Sequence, residues 1–165
     1  MAPERAWLAL ECEGEERTEL LGRLLAERLV AGDVVALDGE LGAGKTCFVR
    51  GLAEGLGAHG PVSSPTFTLM HEYDGPLTLR HLDAWMAERG ESYLRDGGAD
   101  WLRGDGVCAI EWAERIASWL PAERFEVRLE HRGPAARLAR LRWTGANERL
   151  DGLEARFRAE SSLGR

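Results

Sequence analysis

The chain contains a single lysine, Lys45, against twenty arginines. It contains three cysteines, Cys12, Cys47 and Cys108, odd in number and widely spaced. That pattern argues against a disulfide framework or a cysteine-based zinc site, and it predicts a reducing, cytoplasmic setting. No apolar run approaches the ~20 residues that a membrane-spanning helix needs. The opening Met1-Ala2-Pro3-Glu4-Arg5 soon turns acidic, so no secretory leader is expected. Internal repeats and low-complexity segments are also lacking. Positive charge is scarce in the body of the chain. Residues 1–120 carry 11 basic and 21 acidic groups, a balance of −10, which disfavours autonomous nucleic-acid binding. Residues 121–165 carry 10 basic and 7 acidic groups, a balance of +3. That arginine-rich part either touches RNA or forms a solvated face of mixed sign.

What remains is the composition of a soluble globular protein: 165 residues, 44% apolar and 30% charged. The length is most simply one domain, residues 1–165, with a sizeable core. Its organising stretch is Gly39-Glu40-Leu41-Gly42-Ala43-Gly44-Lys45-Thr46, with the spacing G-x-x-x-x-G-K-[ST] of a phosphate-binding loop. A polyphosphate needs several backbone N–H donors converging on one anion, and only a chain free of Cβ atoms at key points bends that tightly. Lys45 would reach the β- and γ-phosphates, and the Thr46 hydroxyl would ligate Mg²⁺. A helix opening at Gly44 would aim its N-terminal N–H groups at the same place. The alternative is a glycine-rich turn that happens to carry Lys-Thr. The context favours the loop, because Val34-Val35-Ala36-Leu37 reads as a buried strand before it. Phe48, Leu52, Ala53 and Leu56 recur at helical spacing after it, up to a stop at Gly57. The lone lysine agrees, since a compact ammonium fits between phosphates where a planar guanidinium fork does not.

Along the rest of the chain, Trp7 to Leu10 predicts a first strand. Leu20, Leu21, Leu24, Leu25 and Leu29 predict a helix led in by acidic residues. Ser63-Ser64-Pro65-Thr66 is a loop, either a plain connection or one that senses a γ-phosphate. Phe67 to Tyr73 and Leu77 to Leu82, joined by Asp74-Gly75-Pro76, predict a hairpin. Residues 84–105 read as short helices and loops, Val107 to Ile110 as a strand, and a short helix leads from Glu111-Trp112 to Pro121. Phe125 to His131 and Leu138 to Trp143 read as an antiparallel pair. A terminal helix is expected from Asn147, with a frayed end at residues 161–165.

A nucleotide site also needs a carboxylate near Mg²⁺, at the C-terminal end of an apolar strand. Asp38, Asp83 and Glu111 are the candidates, with Asp38 the one read as structural. His81 should share a face with Asp83 and is read as packed or hydrogen-bonded rather than as a base. Trp112 is read as core packing or a partner contact.

Gly39 to Thr46, Ser64-Pro65-Thr66-Phe67-Thr68-Leu69, His81-Leu82-Asp83 and Ile110-Glu111-Trp112-Ala113-Glu114, in this order and spacing, resemble the TsaE (YjeE) family. These are bacterial ATPases needed to make threonylcarbamoyladenosine beside the anticodon of transfer RNA. The resemblance runs from about Thr18 to about Arg142. It implies an α/β P-loop NTPase fold, with a central, mostly parallel sheet, some antiparallel strands and flanking helices. It implies ATP on Gly39, Glu40, Leu41, Gly42, Ala43, Gly44, Lys45 and Thr46, with Cys47 in the same stretch, and Mg²⁺ on Thr46 and Glu111. Asp83 matches an acidic switch-like position with a role in hydrolysis. Thr18 and Arg137 match residues near the nucleotide. The implied partners are TsaD and TsaB, with transfer RNA contacted only within that complex, and no DNA or membrane. Two departures stand out. Ala84-Trp85-Met86 replaces the usual Leu-Tyr-Arg, losing an arginine. Cys47 replaces a second threonine, at a helix N-terminus where thiolate is favoured. Two other readings compete with the ATPase: a small-metabolite kinase, which would need an acceptor pocket and an arginine-bearing lid, and a module that binds nucleotide without turnover.

Overall fold

The structure, a computed structural model, describes residues 6–66 and 68–161. Phe67, expected in the first hairpin strand, and residues 162–165, expected to fray, lie outside the described residues. One seven-stranded sheet runs through the protein: β1 (Leu8–Glu13), β2 (Val34–Gly39), β3 (Met70–Tyr73), β4 (Leu79–Asp83), β5 (Val107–Glu111), β6 (Phe125–His131) and β7 (Ala136–Trp143). Their order across the sheet is β1-β7-β6-β2-β5-β4-β3. β6, β2, β5 and β4 form a parallel centre, and β7 and β3 are antiparallel to their neighbours. β1 pairs with β7 antiparallel, so it points the same way as the centre but lies at the far edge. A strand–helix–strand order alone would have set β1 beside β2. The β6–β7 hairpin takes the slot between them.

The apolar runs explain the layering. In β2, Val35 and Leu37 face one core, and Val34 and Ala36 face the other. A central parallel strand covered on both sides reads as continuous apolar sequence for this reason. The larger core lies under α1 (Glu15–Ala26), α2 (Lys45–Gly55) and α4 (Leu153–Ser161). Leu21, Leu25, Phe48 and Leu52 are fully buried there, each contributing about 1.5–3 kcal/mol. The second core lies under α3 (Ala87–Arg95) and the 3-10 stretches Gly98–Arg103 and Ala113–Trp119.

α1 and α2 touch backbone to backbone. A Cβ built on Gly51 would lie 2.0 Å from the Glu19 carbonyl oxygen, so only glycine fits there. This close approach sets the first turn of α1, with Thr18, against the start of α2. The arginine surplus of the last 45 residues is taken up largely in ion pairs, including Arg142–Glu126, Arg140–Glu130 and Arg149–Asp33. That is the mixed-sign face expected as one alternative.

Candidate functional site

The glycine-rich loop leaves the C-terminal end of β2 and enters α2 through Gly44, whose φ of 102° is left-handed. A side chain there would be strained, which is why the motif ends Gly-Lys rather than Xaa-Lys. Lys45 curls back over the loop. Its Nζ donates to the carbonyls of Gly39 at 2.5 Å and Glu40 at 2.9 Å, and lies 3.9 Å from the centre of the Trp112 ring. Lys45 is only 5% exposed. Burial holds its pKa below the ordinary lysine value, against the pull of the Glu111 and Asp83 charges. From the other side Arg137 clasps the loop, its Nε donating to the Ala43 carbonyl at 3.0 Å and its Nη2 to that of Gly42 at 3.2 Å. In a trans peptide C=O and N–H point opposite ways. Holding the Ala43 carbonyl therefore turns the Gly44 N–H away from Arg137. Thr18 completes this side: a Cβ on Gly44 would lie 3.7 Å from Thr18 Cγ2 and 3.9 Å from Arg137 Nε.

Opposite the loop, β4 and β5 end side by side, with Asp83 in register with Glu111. The Thr46 hydroxyl donates to Glu111 Oε1 at 2.8 Å, and His81 Nε2 meets the same oxygen at 2.8 Å. Asp83 accepts from the Thr66 hydroxyl at 2.8 Å and from the Trp85 N–H at 2.7 Å. The Ser63–Thr66 loop is thereby tied to the strand end. Lys45, Thr46, Thr66, Asp83 and Glu111 line a cleft of about 350 Å³. The donor set can take Mg²⁺: one hydroxyl and one carboxylate are hard oxygen ligands, and Mg²⁺ draws few ligands from protein and the rest from phosphate and water. Among the described residues no three His, Cys, Asp or Glu side chains gather as a metal cluster.

Of the other expected residues, Cys47 and Trp112 also line this cleft, whereas Asp38, Gly39 and Glu40 line a different one. Asp38 is outside this cleft; it accepts the Glu114 N–H at 3.0 Å, and burial raises its pKa. It lines a second cleft of about 690 Å³ behind the loop, with Arg128, Glu130 and His131. Cys47 is not an activated thiol. It is 8% exposed, its Sγ lies 3.3 Å from the Glu15 carbonyl, and burial, with Glu19 beside it, pushes its pKa up to about 11. Trp112 packs against the second core, as one of its two readings expected, and it also faces the site. β5 ends at Glu111, Trp112 turns left-handed with φ 58°, and its ring covers Lys45 and meets Trp85 with ring centres 4.5 Å apart. Arg115 contacts the segment after Asp83, which lacks the arginine of the resemblance. It donates to the Trp85 carbonyl at 2.7 Å and lies 4.4 Å from the Trp85 ring centre. That contact comes from a segment 30 residues away, and no local sequence signal announces it.

Residues 12–139 match the family profile of the threonylcarbamoyl adenosine biosynthesis protein TsaE. Relatives named tRNA threonylcarbamoyladenosine biosynthesis protein TsaE include that of Treponema pallidum, 51% identical over 62% of this chain and 73% of its own length. That of Bacillus subtilis is 45% identical over 72% of this chain and 74% of its own length. The crystal structure of Bacillus subtilis YdiB superposes with a TM-score of 0.74 and 32% identity, covering 96% of this chain and 99% of that one.

Proposed function

We propose, from the premise that this chain belongs to the TsaE family, that it is a Mg²⁺-dependent ATPase serving threonylcarbamoyl modification of transfer RNA through TsaB and TsaD. The observation that carries the reading is a convergence. Lys45, Thr46, Asp83 and Glu111 come from three separate segments of the chain and line one cleft at the carboxyl ends of the strands.

In this reading Lys45 and the amides of the Gly39–Thr46 loop hold the phosphates, and the ammonium exchanges the Gly39 and Glu40 carbonyls for phosphate oxygens. Thr46 and Glu111 hold the cation, which supplies charge neutralisation at the transferred phosphoryl group. Asp83, tied to Thr66, orients the attacking water or the Ser63–Thr66 segment. Thr18 and Arg137 keep the loop in shape from the α1 side. No protein nucleophile is needed, because alignment and charge stabilisation dominate phosphoryl transfer. ATPase is favoured over a metabolite kinase by the segment after Asp83. It buries Leu94 and Leu102 in the second core rather than standing over the cleft as an arginine-bearing lid.

The test is the Lys45→Ala variant beside the wild type, with and without TsaB and TsaD of the same organism. A charged hydrogen bond is worth about 1.5–3 kcal/mol, so losing it should weaken ATP binding by about 10- to 100-fold. Circular dichroism should not change. Wild-type ATP affinity in Lys45→Ala sinks the assignment of the loop. A wild-type protein that neither associates with TsaB and TsaD nor supports modification sinks the pathway.

A further inference from the structure

We infer that His81 is a positioning residue for the cation site: through its Nε2–H it holds the Glu111 carboxylate by Oε1 and so keeps Oε2 for a divalent cation. The inference rests on the proposed nucleotide site. His81 is fully buried on β4 and, among the described residues, makes one side-chain hydrogen bond, to Glu111 Oε1 at 2.8 Å. A carboxylate oxygen can only accept, so the ring nitrogen facing it donates. The other nitrogen, Nδ1, is buried with no hydrogen-bond partner among the described residues. A residue kept only for volume would be apolar here, since an orphaned buried acceptor is costly and leucine or methionine avoids it. The imidazole therefore earns its position through one donor.

What that donor does follows from Glu111. The carboxylate is 3% exposed, and both of its side-chain hydrogen bonds, from Thr46 and from His81, fall on Oε1. Oε2 accepts none among the described residues. The two donors approach one oxygen from different elements, the start of α2 and the middle of β4, and together they stop rotation about the last side-chain bond. Thr46 alone would leave the carboxylate free to swing, and the Thr46 oxygen is itself an expected cation ligand. Ligand orientation by an outer hydrogen bond is a general feature of metal sites, and its loss costs about 10- to 100-fold in metal affinity.

The geometry predicts an ordering among three variants. In His81→Gln the side-chain amide nitrogen lies about where Nε2 was. In His81→Asn the nitrogen stops short, near Nδ1. In His81→Leu the volume is kept and the donor is gone. The measurement is the affinity for a non-hydrolysable ATP analogue by calorimetry, in excess EDTA and across a Mg²⁺ titration. His81→Leu and His81→Asn should need about tenfold more Mg²⁺ for half-saturation, with EDTA affinity unchanged. His81→Gln should stay within about threefold of wild type. In a Glu111→Gln background, His81→Leu should add no further loss, because the two act as one unit. The Asn and Gln pair carries the test if the Leu variant does not fold. Equal Mg²⁺ dependence in Asn and Gln overturns the inference, and so does an equal loss in EDTA, which would make His81 a support of the fold. If wild type binds the analogue with no Mg²⁺ dependence, Glu111 is no cation ligand and the inference falls with it. If wild type does not bind the analogue at all, the nucleotide site itself is wrong.

Discussion

Glu111 is a carboxylate that water hardly reaches, and among the described residues no arginine pairs with it. Its partners are a hydroxyl, an imidazole N–H and, at longer range, the Lys45 ammonium. Such a group is costly unless a cation completes it. Glu111→Gln keeps the shape and removes the charge. Nucleotide binding without metal should survive within about tenfold, while Mg²⁺-dependent hydrolysis should fall by about 100-fold or more. An unchanged hydrolysis rate with unchanged Mg²⁺ dependence would pass the metal role to Asp83. The three thiols make a second prediction. Cys12, Cys47 and Cys108 are each pushed up to about 11 by burial, against an ordinary 9.0. At pH 8 the native protein should react with a thiol reagent far more slowly than the unfolded chain, which should release all three. The folded state holds these protons to higher pH than the unfolded chain does. Their contribution to stability is therefore intact below pH 9.0 and is lost as pH rises toward 11. Urea midpoints at pH 8 and pH 10.5 check the sign.

The pair α1 and α2 is where packing serves the site. Gly51 lets the two backbones touch, and that approach brings Thr18 up to Gly44. A methyl group at Gly51 would collide with the Glu19 carbonyl, which is backbone and cannot swing aside. Gly51→Ala should cost about 2 kcal/mol or more in urea unfolding. It should also weaken nucleotide binding, because the α1 side of the loop would move outward. The helix signal in residues 45–56 was plain from the apolar spacing. The glycines within it carried no reading from sequence, because their reason lies on a different helix.

Arg149 ties distant segments of the chain together. Arg149, just before α4, donates to both Asp33 oxygens at 2.7 and 2.6 Å and to the Arg28 carbonyl at 2.5 Å. Its guanidinium lies 4.7 Å from the Phe125 ring centre and 4.5 Å from that of Trp143. These contacts join the end of α1, the entry to β2 and the last hairpin. Asp33 is 9% exposed, so Arg149→Ala should leave a nearly buried charge unpaired and cost about 3 kcal/mol. The expected outcome is a lower urea midpoint at unchanged slope. A change in slope would mean that the hairpin and α4 detach from the rest.

Local chemistry determined the strands of the parallel centre, the loop from Gly39 to Thr46 and the carboxylates at strand ends. Each rests on a pattern within a dozen residues: an apolar run, a glycine spacing, a charge where the run stops. The hairpin from Met70 to Asp83 was legible for the same reason. Tertiary structure alone decided which groups meet. It set β1 at the far edge, with the β6–β7 hairpin between it and β2. It turned Trp112 left-handed over Lys45, and it set Arg115 against Trp85. It also gave His81 its partner. The register of β4 on β5 and the start of α2 together bring Thr46, His81 and Glu111 to one oxygen. Hydrogen bonds between residues 30 and 65 positions apart depend on how elements pack, and no local pattern encodes that.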